Sequence, residues 1–215
     1  MFKDGIIILE TKRLYLREMT QFDYDSLCSI LQDEEAMYAY NGAFDDNMVQ
    51  EWLDKQLARY GKYGFGLWAA VLKETDRMIG QCGLTMQDWN GIEMLEVGYL
   101  FQRKYWHMGY ASEAAAACKN YAFAKLGAEE VCSIIRDTNI PSQNVAARNG
   151  MTKREGVMIK HYRGEDMPHY LYSVKNNREI GVVFLLCQVT VQIFFDCIIK
   201  SARSQHTQLF FRIQI

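Results

Sequence analysis

The stretch Glu96-Val97-Gly98-Tyr99-Leu100-Phe101-Gln102-Arg103-Lys104-Tyr105-Trp106-His107-Met108-Gly109-Tyr110-Ala111-Ser112-Glu113-Ala114 decides how this chain folds. Its first residues complete a run over 92–101 that predicts a strand, and a short basic and aromatic loop follows. From Gly109 the composition turns Ala-rich. Ala111, Ala114, Ala115, Cys118 and Ala122 share one helical face, and Gly127 is placed as a stop, which predicts a helix over 109–126. Small residues on that face permit close packing on a sheet. A helix N-terminus exposes unpaired backbone N–H groups and a partial positive charge, so the strand-loop-helix junction suits a phosphate or pyrophosphate. Glycine at 109 lets a ligand approach the backbone closely.

Working outward, a strand over 131–136 leads to a short helix over 141–149, with Pro141 in its first turn and Gly150 ending it. Two strands near 152–162 and 169–176 complete that side. On the other side, 65–73 and 77–86 are strand-like and joined by Glu74-Thr75-Asp76. A loop containing Asn90-Gly91 then leads to the strand at 92. Residues 10–19 alternate Leu14 and Leu16 with charged side chains, a half-buried first strand. Thr20 with Asp23 three residues on resembles a capping box opening a short helix through Tyr24, Leu27, Ile30 and Leu31. Asp45 or Asp46 caps a second helix with the stripe Val49, Trp52, Leu53, Leu57 and Tyr60, closed by Gly61 and Gly64. Hairpins impose antiparallel pairing, whereas the crossover around 92–136 requires a parallel pair. The expected fold is a single α/β domain with a mixed central sheet flanked by about four helices.

Composition bounds the function. Against 26 Asp+Glu stand 24 Lys+Arg, a formal charge of -2, so no basic surplus points to a nucleic-acid partner. Only 2 Pro occur in 215 residues, without Ser/Gly-rich runs, which argues against a long disordered linker. The N-terminal apolar run 6–9 is too short for the hydrophobic region of a secretory signal, so a cytoplasmic location is expected. The 6 cysteines lack a C-x-x-C pair and the 4 histidines lack i,i+4 spacing, so neither a disulfide framework nor a metal site is expected.

These segments together resemble the GCN5-related N-acetyltransferase (GNAT) superfamily, and within it the RimJ/RimL-type branch that acetylates ribosomal-protein N-termini. The resemblance runs over about 9–176. The superfamily's pyrophosphate signature is Arg/Gln-x-x-Gly-x-Gly/Ala, and the window here reads Trp106-His107-Met108-Gly109-Tyr110-Ala111. Gly109 and Ala111 match and Trp106 departs. This branch often has Tyr-Trp-Gly-Lys-Gly-Tyr-Ala there, so His107 and Met108 replace a Gly and a Lys. Thr11-Lys12-Arg13-Leu14-Tyr15-Leu16-Arg17, Ile79-Gly80-Gln81-Cys82-Gly83-Leu84 and Glu96-Val97-Gly98-Tyr99 are similar to the family's first, third and fourth strands. Asn139-Ile140-Pro141-Ser142 through Gly150-Met151 is similar to its Asn-x-x-Ser helix.

The resemblance implies acetyl-CoA as acetyl donor, no metal, and a primary amine as acceptor: a peptide N-terminus, a polyamine or an aminoglycoside-like molecule. It implies backbone contacts from Tyr99, Leu100 and Phe101 to pantetheine and from Trp106, His107, Met108, Gly109, Tyr110 and Ala111 to the pyrophosphate. Asn139 would bridge pantetheine amides. Glu96 is the candidate general base, with an orienting or structural carboxylate as the other reading. The tyrosine that the family often uses as acid toward the thiolate falls at Ala146, so Ser142 is the candidate donor to the sulfur, or else a first-turn serine serving the helix. The resemblance also implies that the first two helices with their connection, and the final hairpin around Tyr162 to His169, set acceptor specificity; in that connection the acidic residues Asp33-Glu34-Glu35 and Asp45-Asp46 would attract a cationic acceptor, or simply be solvated caps. No membrane partner is expected, and the chain is expected to act as a monomer or homodimer. The domain is placed at 1–178. Residues 179–215, rich in Ile, Val, Leu and Phe but interrupted by Gln188, Thr190, Gln192 and Asp196, are expected to form a hydrophobic C-terminal extension rather than a membrane span.

Overall fold

Asn90 and Gly91 both have positive φ, 51° and 87°, the left-handed pair that a two-residue hairpin turn needs. They fold β4 (Arg77–Trp89) back on β5 (Ile92–Phe101) in an antiparallel ladder that runs unbroken from Trp89–Ile92 to Gly80–Phe101. This hairpin is the spine of a computed structural model that describes residues 5–176. β3 (Leu67–Leu72) pairs with β4, β2 (Leu14–Arg17) with β3 and β1 (Ile7–Glu10) with β2, all antiparallel. On the far side β6 (Glu130–Arg136) runs parallel to β5. The long β9 (Glu165–Lys175) then pairs antiparallel with β6 and also carries β7 (Thr152–Lys153) and β8 (Met158–Tyr162). The sheet is therefore mixed, with its parallel pair where the crossover required one.

Helices cover both faces. Against one face lie α1 (Tyr24–Leu31) and α2 (Asp46–Tyr63), which bury Leu27, Ile30, Val49 and Leu53 on Ala69 and Val71. Against the other lie α3 (Tyr110–Lys125) and α4 (Ile140–Arg148), which bring Ala114, Ala115, Cys118, Ala122 and Val145 onto Trp68, Ile79, Cys82 and Val97. β3 lies between the two layers and is buried at every position from Leu67 to Leu72. A strand covered on both faces reads as a continuous apolar run rather than as alternation. Close packing has a backbone requirement at Gly83, where an added Cβ would stand 2.0 Å from the Gly66 carbonyl oxygen.

Caps follow the local chemistry. The Thr20/Asp23 capping box is present, opening a 3-10 turn over Gln21–Asp23 that runs into α1. The Asp23 carboxylate also receives both terminal nitrogens of buried Arg17, at 2.7 and 2.8 Å. Asp45, not Asp46, caps α2 by accepting from the Met48 N–H, and Gly64 in the left-handed conformation ends it; Gly61 lies inside the helix.

Three strand expectations change. The strand expected over 10–19 is confined to β2, and β1 precedes it, because Thr11 closes a tight turn: its N–H donates to the Leu14 carbonyl at 2.8 Å and its hydroxyl oxygen accepts from the Leu14 N–H at 2.9 Å. The strand expected over 152–162 splits into β7 and β8, with the break at 154–157, where Gly156 has φ 101°. The last strand begins at Glu165 rather than 169, because a second two-residue turn, Arg163 (φ 49°) and Gly164 (φ 79°), folds β8 onto β9. Arginine is a poor signal for such a turn. Its conformation here is tied from outside, by guanidinium hydrogen bonds to the carbonyls of Asn41 and Ala43. Among the described residues no helix is long and apolar enough to cross a membrane. The expected C-terminal extension, 179–215, lies outside the described residues.

Candidate active site

β5 and β6 are parallel neighbours that share one paired position, Glu96 with Cys132. Beyond it the strands part. Ser133 donates its hydroxyl to the Val97 carbonyl at 2.8 Å, so a side chain fills the place of a ladder bond. Gly98, Tyr99 and Leu100 on one strand then face Ile134, Ile135 and Arg136 on the other across a cavity of about 530 Å³. A parted sheet leaves strand edges with hydrogen-bonding groups that an extended ligand can use.

Glu96 stands at the fork. Its Oε1 accepts from the Ile134 N–H at 3.1 Å and its Oε2 from the Thr85 hydroxyl at 3.0 Å, while the side chain lines the cavity. Both bonds favour an oriented carboxylate, and each oxygen keeps a second lone-pair direction for a substrate or a water. Both functions raised for Glu96 are therefore compatible with its setting: it helps hold the fork and it faces the cavity.

The loop before α3 has its geometry set from two sides. After a 3-10 turn over Arg103–Tyr105, His107 and Gly109 adopt positive φ, 62° and 81°, and Gly109 is the N-cap residue. No side chain caps α3, so its first N–H groups are left for solvent or a ligand. The Trp106 ring packs on the core, and its Nε1–H donates to the Phe101 carbonyl at 2.8 Å, tying the loop to the end of β5. From the other side, Arg13 donates to the Met108 carbonyl at 2.9 Å and lies over the Tyr110 ring at 4.2 Å. Glu113 holds Arg13 through Oε2 at 2.6 Å and takes Thr11 Oγ1 and the Arg13 N–H on Oε1. Burial alone would raise the Glu113 carboxyl, but these donors together hold it below its ordinary value. His107 and Met108 are exposed.

At the other end of the cavity Asn139 caps α4, accepting on Oδ1 from the Ser142 N–H at 3.2 Å and from the Tyr38 hydroxyl at 2.9 Å. The Tyr99 hydroxyl donates to the Ser142 carbonyl at 2.9 Å, which fixes α4 against β5. Burial pushes the Tyr99 hydroxyl's pKa far up, so it stays protonated. Tyr99, Leu100, Asn139 and Ser142 all line the cavity; Phe101 is buried in the core, beyond the lining. Ala146, where the family often has a tyrosine, is buried and carries no donor.

The acidic clusters expected to draw in the acceptor sit elsewhere. Asp33 and Glu35 pair with Arg103 at 3.0 and 2.5 Å, Glu34 accepts from the Ala43 N–H, and Asp46 accepts from Gln32. None of them lines the cavity. The walls contain instead Lys55 and Arg59 from α2, Arg136 from β6 and Lys160 from β8, which the sequence did not single out, and His169 from β9, at the end of the hairpin expected to set acceptor specificity. Burial lowers the pKa of the Arg59 guanidinium while the Glu96 charge opposes that shift. His169 is buried, and its Nδ1 lies 2.8 Å from the Met167 carbonyl. A carbonyl can only accept, so Nδ1 carries the proton and Nε2 the lone pair. Burial also lowers its pKa, so the ring is neutral near pH 7. These residues come from four separate elements, and no local motif in the chain announces them.

The family model described as the acetyltransferase (GNAT) domain matches residues 13–152. The protein YkkB of Bacillus subtilis is 35% identical over 144 residues, 66% of this chain and 84% of its own. A protein of Bacillus licheniformis named uncharacterized N-acetyltransferase p20 is 30% identical over 183 residues, 80% of this chain and 98% of its own. Among solved structures, RimL, a ribosomal L7/L12 alpha-N-protein acetyltransferase in complex with coenzyme A, superposes with a TM-score of 0.63 at 17% identity, covering 79% of this chain and 97% of its own.

Proposed function

This chain belongs to the GNAT acetyltransferase family, and from that premise we propose that it moves the acetyl group of acetyl-CoA to a primary amine by direct attack in the cavity between β5 and β6. The observation that carries the reading is the fork itself. One carboxyl side chain, Glu96, is fixed at its apex, strand edges open along its length, and the loop after β5 leads to an α3 N-terminus that no side chain among the described residues caps. The coenzyme A bound to RimL supports the same choice of donor.

Each part has a task. The first N–H groups of α3, reached over Gly109, receive the pyrophosphate, and the loop from Trp106 to Ala111 supplies further backbone donors. The open edge of β5 at Tyr99 and Leu100 binds the pantetheine arm as an added strand, without Phe101, and Asn139 meets its amides from the opposite side. A backbone N–H on that edge polarises the thioester carbonyl. Glu96 takes the proton that the attacking amine must lose, directly or through one water, as the new C–N bond forms. The C–S bond then breaks, and the Ser142 hydroxyl donates a hydrogen bond to the departing sulfur, which leaves as the thiolate of coenzyme A and takes a proton from water to become the thiol.

A second reading is favoured by one observation, the donorless Ala146 on α4: a module that binds acyl-CoA without turning it over. Release of free thiol from acetyl-CoA in the presence of a panel of primary amines separates the two. Amine-dependent release supports transfer, whereas a rise in melting temperature with acetyl-CoA and no release with any amine supports the silent module.

A further inference from the structure

The charge around the cavity runs against the charge of the whole chain. Acids outnumber bases 26 to 24 overall, yet the cavity walls hold Lys55, Arg59, Arg136 and Lys160 and a single carboxylate, Glu96. Among the described residues Glu96 forms no ion pair with any of them; its oxygens accept from the Thr85 hydroxyl and the Ile134 N–H. Among the described residues no carboxylate forms an ion pair with Lys55, Arg59 or Lys160. Arg59 is held by a neutral partner, the Gln56 side-chain oxygen at 3.0 Å. Arg136 donates to the Tyr38 carbonyl at 2.7 Å, and its Nε is buried with no partner. Its carboxylate neighbour, Glu165, is exposed and 4.0 Å away.

Like charges gathered on the low-dielectric walls of one cavity reinforce each other's potential and concentrate counter-ions there. A polyamine would meet repulsion at every wall but one. A molecule with an ammonium group for Glu96 and an anionic group for the cations would meet complementary charge at both ends. The volume also limits size, since the pantetheine arm shares the cavity's roughly 530 Å³ with the acceptor.

We propose that the acceptor is a small primary amine that carries its own anionic group, a carboxylate or phosphate, and that Lys55, Arg59, Arg136 and Lys160 select it. This rests on the acetyl-transfer reading above and narrows its acceptor. It also replaces the cationic acceptor expected from Asp33, Glu34 and Glu35, which lie outside the cavity.

The test uses the full chain and thiol release from acetyl-CoA with matched acceptors: α-amino acids against their amides, O-phosphoethanolamine against ethanolamine, and spermidine and an aminoglycoside as polycations. The anionic member of a pair should have at least about tenfold higher kcat/KM, the factor that one charge-assisted contact of about 1.4 kcal/mol gives. The amino-acid and phosphate arms tell which anion is preferred. Lys160→Glu, and independently the exposed Lys55→Glu, should cut kcat/KM for the anionic acceptor by tenfold or more. Both should leave the Kd for acetyl-CoA unchanged, and Lys160→Arg should restore the rate. Preference for amides or polyamines, or charge-reversal variants as active as the parent on anionic amines, overturns the acceptor assignment and leaves acetyl transfer standing. Binding of acetyl-CoA with no thiol release for any amine overturns both.

Discussion

For a single residue, Glu96 as the proposed general base makes a sharp expectation. Glu96→Gln keeps an oxygen for the Ile134 N–H and so keeps the fork, but it cannot take a proton. General-base catalysis contributes about 10²–10⁴-fold, so kcat/KM near neutral pH should fall by that order. The rate should recover toward high pH, where the amine is already neutral; a pH profile parallel to the parent's would remove the base role. His169 titrates for a different reason. Its pKa is lowered by burial from an ordinary value of 6.5, so the unfolded chain binds a proton that the folded chain refuses. Stability from this group is therefore full above pH 6.5 and is lost as pH falls through the lowered folded value. Melting temperatures measured across that window should fall more steeply for the parent than for His169→Gln, and equal slopes would contradict the assignment. The cavity lysines and arginines were not legible in the sequence, because their neighbours are brought up from distant strands and helices, and His169 was legible only as the end of the final hairpin. Glu96 was legible because the strand it sits on leads straight into the loop.

At the scale of elements, the β5-loop-α3 junction could be read directly from the chain, since strand, glycine and Ala-rich helix are all local signals. What could not be read is how the loop is held. Trp106 departs from the superfamily's Arg/Gln, and in the structure it serves as an anchor on Phe101. Arg13 and Glu113 brace the same loop from residues about a hundred positions apart. The turns show the same division: Asn90-Gly91 announces itself, whereas Arg163-Gly164 is held by contacts to another loop. Gly109 tests the element most cleanly. An added Cβ would stand 3.5 Å from an Arg13 nitrogen, an ordinary contact, so the cost of Gly109→Ala is conformational, arising from its φ of 81°. That strain costs about 1–3 kcal/mol. We expect a lower melting temperature and a raised KM for acetyl-CoA with a smaller change in kcat; an unchanged KM would separate this loop from the coenzyme.

At the scale of the molecule, the sequence pattern led to a mixed sheet with helices on both faces because each element's period and caps agree with the fold they build. It overestimated the acidic loops: Asp33, Glu34 and Glu35 are conspicuous in the chain but are used by Arg103 and Ala43 in the structure. The net charge of -2 therefore did not forecast the charge of the cavity. Among the described residues, those lining that cavity fall between Ala39 and His169. A chain ending at Asn176 should accordingly bind acetyl-CoA with the affinity of the full chain, measured by calorimetry, and a large loss of affinity would mean that later residues take part. Thiol release from acetyl-CoA by the full chain, with and without primary amines, decides whether the fork between β5 and β6 is where acetyl-CoA meets an amine. We expect release that depends on the amine, saturates with acetyl-CoA and yields one acetylated amine per thiol. Acetyl-CoA that binds while thiol release stays at the amine-free background for every acceptor would contradict that expectation.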